Sequence, residues 1–168
     1  VDMLGKRITL TGRLSPESVF IDGQGVRCGI LCSGAEVGPE TVIAKFTITD
    51  CSAVHGGGLH VSASPTIANC IIINNEASGS GGGIWNPSGS PSITECTFSG
   101  NTAGNSGGGI WTLSDSPPML TRTILCNNAP NQINGAWIDG GNNCLVFECT
   151  DSNGDGWPDK CGQISDGV

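Results

Sequence analysis

Apolar residues recur along the chain in short runs that are separated by glycine, asparagine, serine and proline. In Phe46–Thr49, Cys70–Ile73 and Cys96–Phe98, β-branched and aromatic residues, the types enriched in strands, stand beside cysteine. No stretch places apolar residues at i, i+3, i+4 and i+7, as one face of a helix requires. The pattern therefore predicts an all-β protein of short strands joined by turns.

The runs belong to an internal repeat. Glycine triplets begin at Gly56, Gly81 and Gly107, which are 25 and 26 residues apart, and a decayed copy begins at Asn134. Two further markers keep this step: the Ser-Pro pairs and an apolar residue three before asparagine. They stand at Ser64, Ser90 and Ser116, and at Ile72–Asn75, Phe98–Asn101 and Leu125–Asn128. Glycine triplets and Ser-Pro pairs would break helical repeats, so each unit is predicted to be a coil of short strands.

Stacked coils of this length predict a right-handed parallel β-helix, since crossovers between parallel strands are right-handed. About six coils fit before residue 149, so the β-helix is predicted to span 1–149, with its strands over 8–149, and 150–168 to form a separate C-terminal loop and tail. Ile84 and Ile110 are expected to be stacked neighbours about 4.8 Å apart.

The recurring asparagines have a predicted structural role. Asparagine tolerates left-handed backbone angles at turns, and its amide can bond the equivalent amide one coil away. Asn75, Asn101 and Asn128 should therefore form a ladder along the coils.

A second column follows from strand alternation. If Leu59, Ile84, Ile110 and Ala136 point inward, the next residue in each coil points outward. These residues are His60, Trp85, Trp111 and Trp137. Such a face could bind sugar rings or bury against a partner, or the rings could stack on one another and stiffen the sheet.

Composition and charge narrow the possible partners. The chain has 168 residues, of which 27 are glycine, and a net charge of -8. Its seven Lys and Arg are scattered, so no basic stripe is available for nucleic acid or anionic lipid. No apolar run reaches the roughly 18 residues that a membrane span needs.

The nine cysteines indicate an oxidising compartment, and four disulfides with one free thiol is the simplest count. Zinc is the weaker alternative, because Cys28 and Cys32 lack a second closely spaced Cys or His pair. Cys70 and Cys96 are 26 residues apart, so they should lie on adjacent coils, where they could pair or simply pack.

The Gly-Gly-Gly-Ile and Phe-x-x-Asn signals of residues 46–138 resemble the repeats of chlamydial polymorphic outer-membrane proteins and of large secreted β-helix proteins from planctomycete-like bacteria. The resemblance implies a β-helix, an extracellular location and adhesion. The third glycine stands where the chlamydial pattern often has alanine.

The C-terminal segment carries a different signal. Oxygen ligands stand at positions 1, 3, 5 and 9 of a loop, with Gly156 at position 6 for the sharp turn and a backbone carbonyl at position 7, as a Ca²⁺ loop requires. The candidate ligands are Asp151, Asn153, Asp155, Trp157 and Asp159.

The segment resembles the calcium loops of thrombospondin type 3 repeats and dockerins, which implies extracellular calcium. Position 12 is Gly162 instead of glutamate, so the EF-hand pattern is incomplete. Cys149 and Cys161 flank the loop, and a disulfide between them would clamp it.

The functional prediction is a passive extracellular scaffold or adhesive surface, secreted or on the cell surface, that binds copies of itself, other surface proteins or polysaccharide. An uncovered first coil would favour end-to-end assembly into filaments. The alternative is a polysaccharide lyase. Its only acidic pair at equal phase is Asp50 and Glu76, while Lys45 and Arg122 are isolated.

Overall fold

The computed structural model describes residues 1–34, 37–113, 115, 117–146 and 148. These residues form a parallel β-solenoid with twenty short strands and a single 3₁₀ turn, Pro16–Ser18. Among them there is no α-helix, as the hydrophobic pattern predicts.

The strands stack in four parallel sheets, numbered in the order in which the chain visits them. Sheet 1 contains β1 (Thr9–Thr11), β4 (Val42–Ala44), β8 (Thr66–Ala68), β12 (Ser92–Thr94), β16 (Met119–Thr121) and β19 (Ile138–Asp139). Sheet 2 contains β2 (Phe20–Asp22), β5 (Thr47–Thr49), β9 (Ile71–Ile73), β13 (Thr97–Ser99), β17 (Ile124–Cys126) and β20 (Cys144–Leu145). Sheet 3 contains β6 (Ser52–Ala53), β10 (Glu76–Ala77) and β14 (Thr102–Ala103). Sheet 4 contains β3 (Ile30–Ser33), β7 (Leu59–Ser62), β11 (Ile84–Ser88), β15 (Ile110–Thr112) and β18 (Ile133–Asn134).

The coils are complete only in the middle of the chain. Three consecutive coils contribute a strand to every sheet, and in the next one a single bridge, Thr102 to Ala129, replaces the sheet 3 strand. The first coil lacks the sheet 3 strand, and the last has only β19 and β20. The solenoid therefore has about four full turns with a partial coil at each end, slightly fewer than the six predicted.

The core is a set of inward columns that run from coil to coil. Ile84 stacks on Leu59 and on Ile110, which confirms the register predicted for these residues. All members of the central columns are completely buried: Ile43, Ile67, Ile93 and Leu120 in sheet 1, and Ile48, Ile72, Phe98 and Leu125 in sheet 2. Burying each side chain contributes about 1.5–3 kcal/mol, so the columns stabilise the stack of coils.

The asparagine ladder is continuous through the interior. The Asn75 amide nitrogen donates to Asn101 Oδ1 over 2.9 Å, and the Asn101 amide nitrogen donates to Asn128 Oδ1 over 2.8 Å. The two ends are also paired: the Cys51 N–H donates to Asn75 Oδ1, and Asn128 Nδ2 donates to Gln132 Oε1. Each amide thereby pairs across coils in a region without water.

The ladder asparagines do not take left-handed angles, which corrects that part of the prediction. Positive φ is found one residue earlier, at Asn74 (53°) and Asn127 (54°), with Asp50 and Gly100 at the equivalent positions. The reason is division of labour: the left-handed residue turns the chain outward and stays solvated, while the next residue sends its amide inward. A second left-handed column joins sheets 1 and 2, formed by Lys45, Asn69, Glu95, Arg122 and Asn142.

Candidate functional site

The outer face of sheet 4 carries a column of rings. Strand register places Trp85 directly between His60 and Trp111, as the repeat predicts. Leu31 lies below His60, and Asn134 lies beyond Trp111. All three ring residues are half-buried, because neighbours one coil away cover part of each side chain.

The rings stack mainly on one another. The Trp85 ring lies 4.9 Å from the His55 ring at an interplanar angle of 18°, and 5.9 Å from the Trp111 ring at 25°. His60 meets Trp85 edge-on, with ring centroids 4.5 Å apart. His55 belongs to the coil before Trp85 and Trp111 to the coil after it, so the two faces of the Trp85 indole are both occupied. We name His55, His60, Trp85 and Trp111 the aromatic row.

Trp137 does not belong to the aromatic row, so this part of the prediction is wrong. The register pairs Trp111 with Asn134, a step of 23 residues instead of 26. Trp137 stands just before β19 in sheet 1 and packs, partly buried, against the core. The decayed repeat therefore shortened the coil and moved its tryptophan to a different corner of the solenoid.

His55 is a member of the row that the repeat analysis missed, because it stands before the glycine triplet instead of after it. Its ring occupies the space left by Gly79 of the next coil, where an added Cβ would lie 2.5 Å from the ring. The Ser80 N–H donates to His55 Nδ1 over 3.1 Å, so the neutral ring carries its proton on Nε2. A glycine at the equivalent position of the following coil was the available signal.

An open groove of about 390 Å³ runs beside the aromatic row. Its lining, largely apolar, consists of Cys28, Leu31, Ala53, Val54, His55, His60 and Trp85. Val54 is 66% exposed at its rim. Burial, and secondly the charge of His55, lower the pKa of His60, so this ring favours its neutral form. We name this feature the aromatic groove; its shape and chemistry suit an apolar side chain.

The acidic pair considered for lyase chemistry is brought together. Asp50 and Glu76 line a second cleft, of about 400 Å³, with Asp22, Gln24 and Asn74. No Lys or Arg lines this cleft in the part of the chain that is described. Lys45 and Arg122 lie at the other edge of sheet 2, and Arg122 Nε donates to Glu95 over 2.8 Å. The cleft therefore combines carboxylates with no positioned base.

Five cysteines are free thiols, which leaves at most two disulfides among nine and corrects the predicted count of four. Cys70 and Cys96 lie at equivalent positions of adjacent coils and pack without bonding. Each donates to the carbonyl two residues earlier, over 3.4 and 3.3 Å, as the hydroxyl of the equivalent Thr123 does. These buried cysteines act as small donors at turns, and burial raises the pKa of Cys96.

The predicted calcium ligands, Asp151 to Asp159, and the flanking Cys149 and Cys161 lie outside the described residues. Among the residues that are described, no cluster of three or more His, Cys, Asp or Glu side chains could hold a metal ion. The boundary predicted at 149 falls just past the last described strand, Cys144–Leu145.

These features define a repeat protein of the parallel β-solenoid class. Residues 69–87 and 95–113 match the family model of the Chlamydia polymorphic membrane protein repeat. The two matches are exactly one coil apart, and each runs from the left-handed turn before sheet 2, past the ladder asparagine, to the aromatic row. The chain is therefore similar to these repeats in fold and in repeat sequence.

No curated protein and no solved structure matches the chain. Within the described residues, no helix is both long and apolar enough to cross a bilayer.

Proposed function

We propose that the chain is an extracellular structural scaffold that adheres to a protein partner through the aromatic groove. The observation that carries the proposal is the groove itself: an open, apolar depression on the side of a rigid solenoid, with Val54 exposed at its rim. Hydrophobic depressions on otherwise polar surfaces are the usual anchor sites for partner side chains. The similarity to a membrane-protein repeat supports a location at the cell surface or in the secreted fraction.

A protein partner fits this surface better than a polysaccharide. Sugar binding by tryptophan requires an open ring face, and both faces of Trp85 are covered, by His55 and by Trp111. The aliphatic side of the groove, formed by Leu31 and Val54, offers contact area without hydrogen-bonding groups for hydroxyls. An inserted apolar or aromatic side chain would bury this area.

Val54→Asp is expected to weaken adhesion at least tenfold without loss of fold, because it places a charge at the rim of an apolar groove. The matched control is Val26→Asp, since Val26 is also exposed, at 72%, and lies outside the groove. Biosensor titrations against a panel of immobilised extracellular-matrix proteins, with a glycan array in parallel, measure the effect.

Equal binding of both valine variants would contradict the role of the groove. Binding confined to the glycan array would show that a polysaccharide is the partner. Turnover of an acidic polysaccharide, lost on Asp50→Asn or Glu76→Gln, would establish the lyase alternative, for which the acidic cleft at present supplies no positioned base.

Self-assembly end to end receives less support. The first coil exposes apolar side chains, including Leu4, Leu14 and Phe20, beside unpaired strand edges. At the other end, Asp139 takes the inward position that Leu120 holds one coil earlier. Head-to-tail stacking would bury this carboxylate against an apolar column, which is costly. The asymmetry of the two ends therefore disfavours filaments of repeated copies.

Calcium binding by Asp151, Asn153, Asp155, Trp157 and Asp159 is a further part of the proposal, supported by their spacing in the sequence. Titration calorimetry should detect one calcium site, and Asp155→Asn should weaken it at least tenfold because a carboxylate ligand is lost. Asp166→Asn, outside the loop, is the control. No heat with millimolar calcium, together with unchanged melting in excess chelator, would show that the segment is only a turn.

A further inference from the structure

Two cysteines on the outer face of sheet 2 are disulfide-bonded, Cys126 and Cys144. Their neighbours Leu125 and Leu145 form an inward pair, so alternation directs both cysteines outward. Both are nevertheless buried, with exposures of 0% and 6%. Cys126 ends β17 and Cys144 begins β20, the last strand that is described.

The two cysteines are too far apart to bond to each other. In the register of these strands, Cys144 lies opposite Ile124, and Cys126 is two residues further along. A strand spacing of about 4.8 Å and a rise of about 3.3 Å per residue place their Cα atoms about 8 Å apart. Disulfides span Cα distances of about 4.4–6.8 Å, so each cysteine has a different partner.

Elimination identifies these partners. Cys28, Cys32, Cys51, Cys70 and Cys96 are free thiols. Of the nine cysteines, only Cys149 and Cys161 remain. We propose that Cys126 and Cys144 pair with Cys149 and Cys161, one with each, so that two disulfides tether the C-terminal segment to the outer face of sheet 2.

Chain length permits the first tether. Val146 is the last residue bonded to the sheet, through its N–H to Leu125 O over 3.0 Å. Cys149 follows three residues later, within about 10 Å of extended chain, so either Cys126 or Cys144 is in reach. Cys161 provides the second tether at the other end of the acidic segment 150–160. The two bonds would hold the ends of the proposed calcium loop on the solenoid, in place of the direct Cys149–Cys161 clamp that the sequence suggested.

Each bond forms by thiol–disulfide exchange with a small disulfide such as oxidised glutathione. One thiolate attacks the oxidant and releases one glutathione thiol, and the second thiolate then displaces the other glutathione. The two cysteines lose two protons and two electrons, and the oxidant becomes two thiols.

Disulfide mapping tests the pairing on the full chain refolded in a glutathione buffer. After alkylation of free thiols, cleavage before aspartate and after glutamate separates the four cysteines into peptides 115–138, 139–148, 149–150 and 159–165. We expect mass spectrometry to find each of the first two peptides joined to one of the last two. A bond between 149–150 and 159–165, a bond between 115–138 and 139–148, or alkylation of Cys126 and Cys144 would overturn the proposal.

A pair of variants gives a second measurement by counting alkylated thiols under denaturing, non-reducing conditions. The unmodified chain should show five, matching its free cysteines. Cys161→Ser should raise the number to six, because its partner in sheet 2 is released. Cys51→Ser, the control, should lower it to four and leave both disulfides intact. An increase to six in which Cys149 becomes reactive, instead of Cys126 or Cys144, would contradict the tethers.

Discussion

Gly82→Ala is expected to destabilise the solenoid by roughly 3–5 kcal/mol, a large part of the stability of a domain of this size. An added Cβ would lie 2.3 Å from Thr102 O and 2.6 Å from Gly108 O, both backbone atoms of the next coil. Neither atom can move away without separating the coils, because the Gly83 N–H donates to Gly108 O and the backbone is bonded on both sides. The glycine triplets are thus required by the close approach of adjacent coils.

Urea unfolding monitored by circular dichroism measures this effect. Gly38→Ala is the control, since its Cβ would meet only the end of the flexible Glu40 side chain, at 3.0 Å. We expect that control to change the free energy of unfolding by less than about 1 kcal/mol. Equal midpoints for the two variants would show that the coils adjust freely and that the triplets have another role.

Asn101→Leu should cost a comparable amount, roughly 3–5 kcal/mol, because it interrupts the ladder at its centre. Asn101 is completely buried. Its Oδ1 accepts from the Asn75 backbone N–H and amide, and its own amide donates to Ile72 O and Asn128 Oδ1. Leucine has a similar volume but would leave all of these buried groups without a partner.

The control for this variant is Asn105→Leu, at an exposed position four residues later, where a change within about 0.5 kcal/mol is expected. Hydrogen exchange adds a local measurement: the Asn75 and Cys51 N–H groups should lose protection in Asn101→Leu, since they depend on the ladder. A variant as stable as the parent chain would mean that the amides contribute little beyond filling space.

Much of the architecture follows from local sequence. The period of about 26 residues, the alternation in Thr47–Thr49 and the glycine triplets together leave a parallel β-solenoid as the consistent solution, and the stacking of Ile84 on Ile110 and the asparagine ladder are present. These features are predictable because a repeat imposes the same neighbours on every coil. One register therefore determines all the rest.

The candidate site was only partly predictable. Trp85 and Trp111 keep the repeat step and so keep their column, whereas Trp137 belongs to a shortened coil, and three missing residues were enough to change its sheet. The groove depends on His55, Val54 and Leu31, which come from different coils and from outside the repeat motif. Their meeting depends on how the irregular early coils dock on the regular ones.

The cysteines show most clearly the division between sequence and tertiary structure. Their number alone suggested a framework of four disulfides, because composition cannot distinguish a thiol that crosslinks from one that fills a turn. The stacking of coils decides it: Cys70 and Cys96 point into the interior and donate to turn carbonyls, while Cys126 and Cys144 point outward. By itself, the sequence determined the period, the strands and the inward columns, since these depend on neighbours at fixed separation. The tertiary structure alone decided which rings share a face and which thiols meet, since these depend on the exact length of each coil.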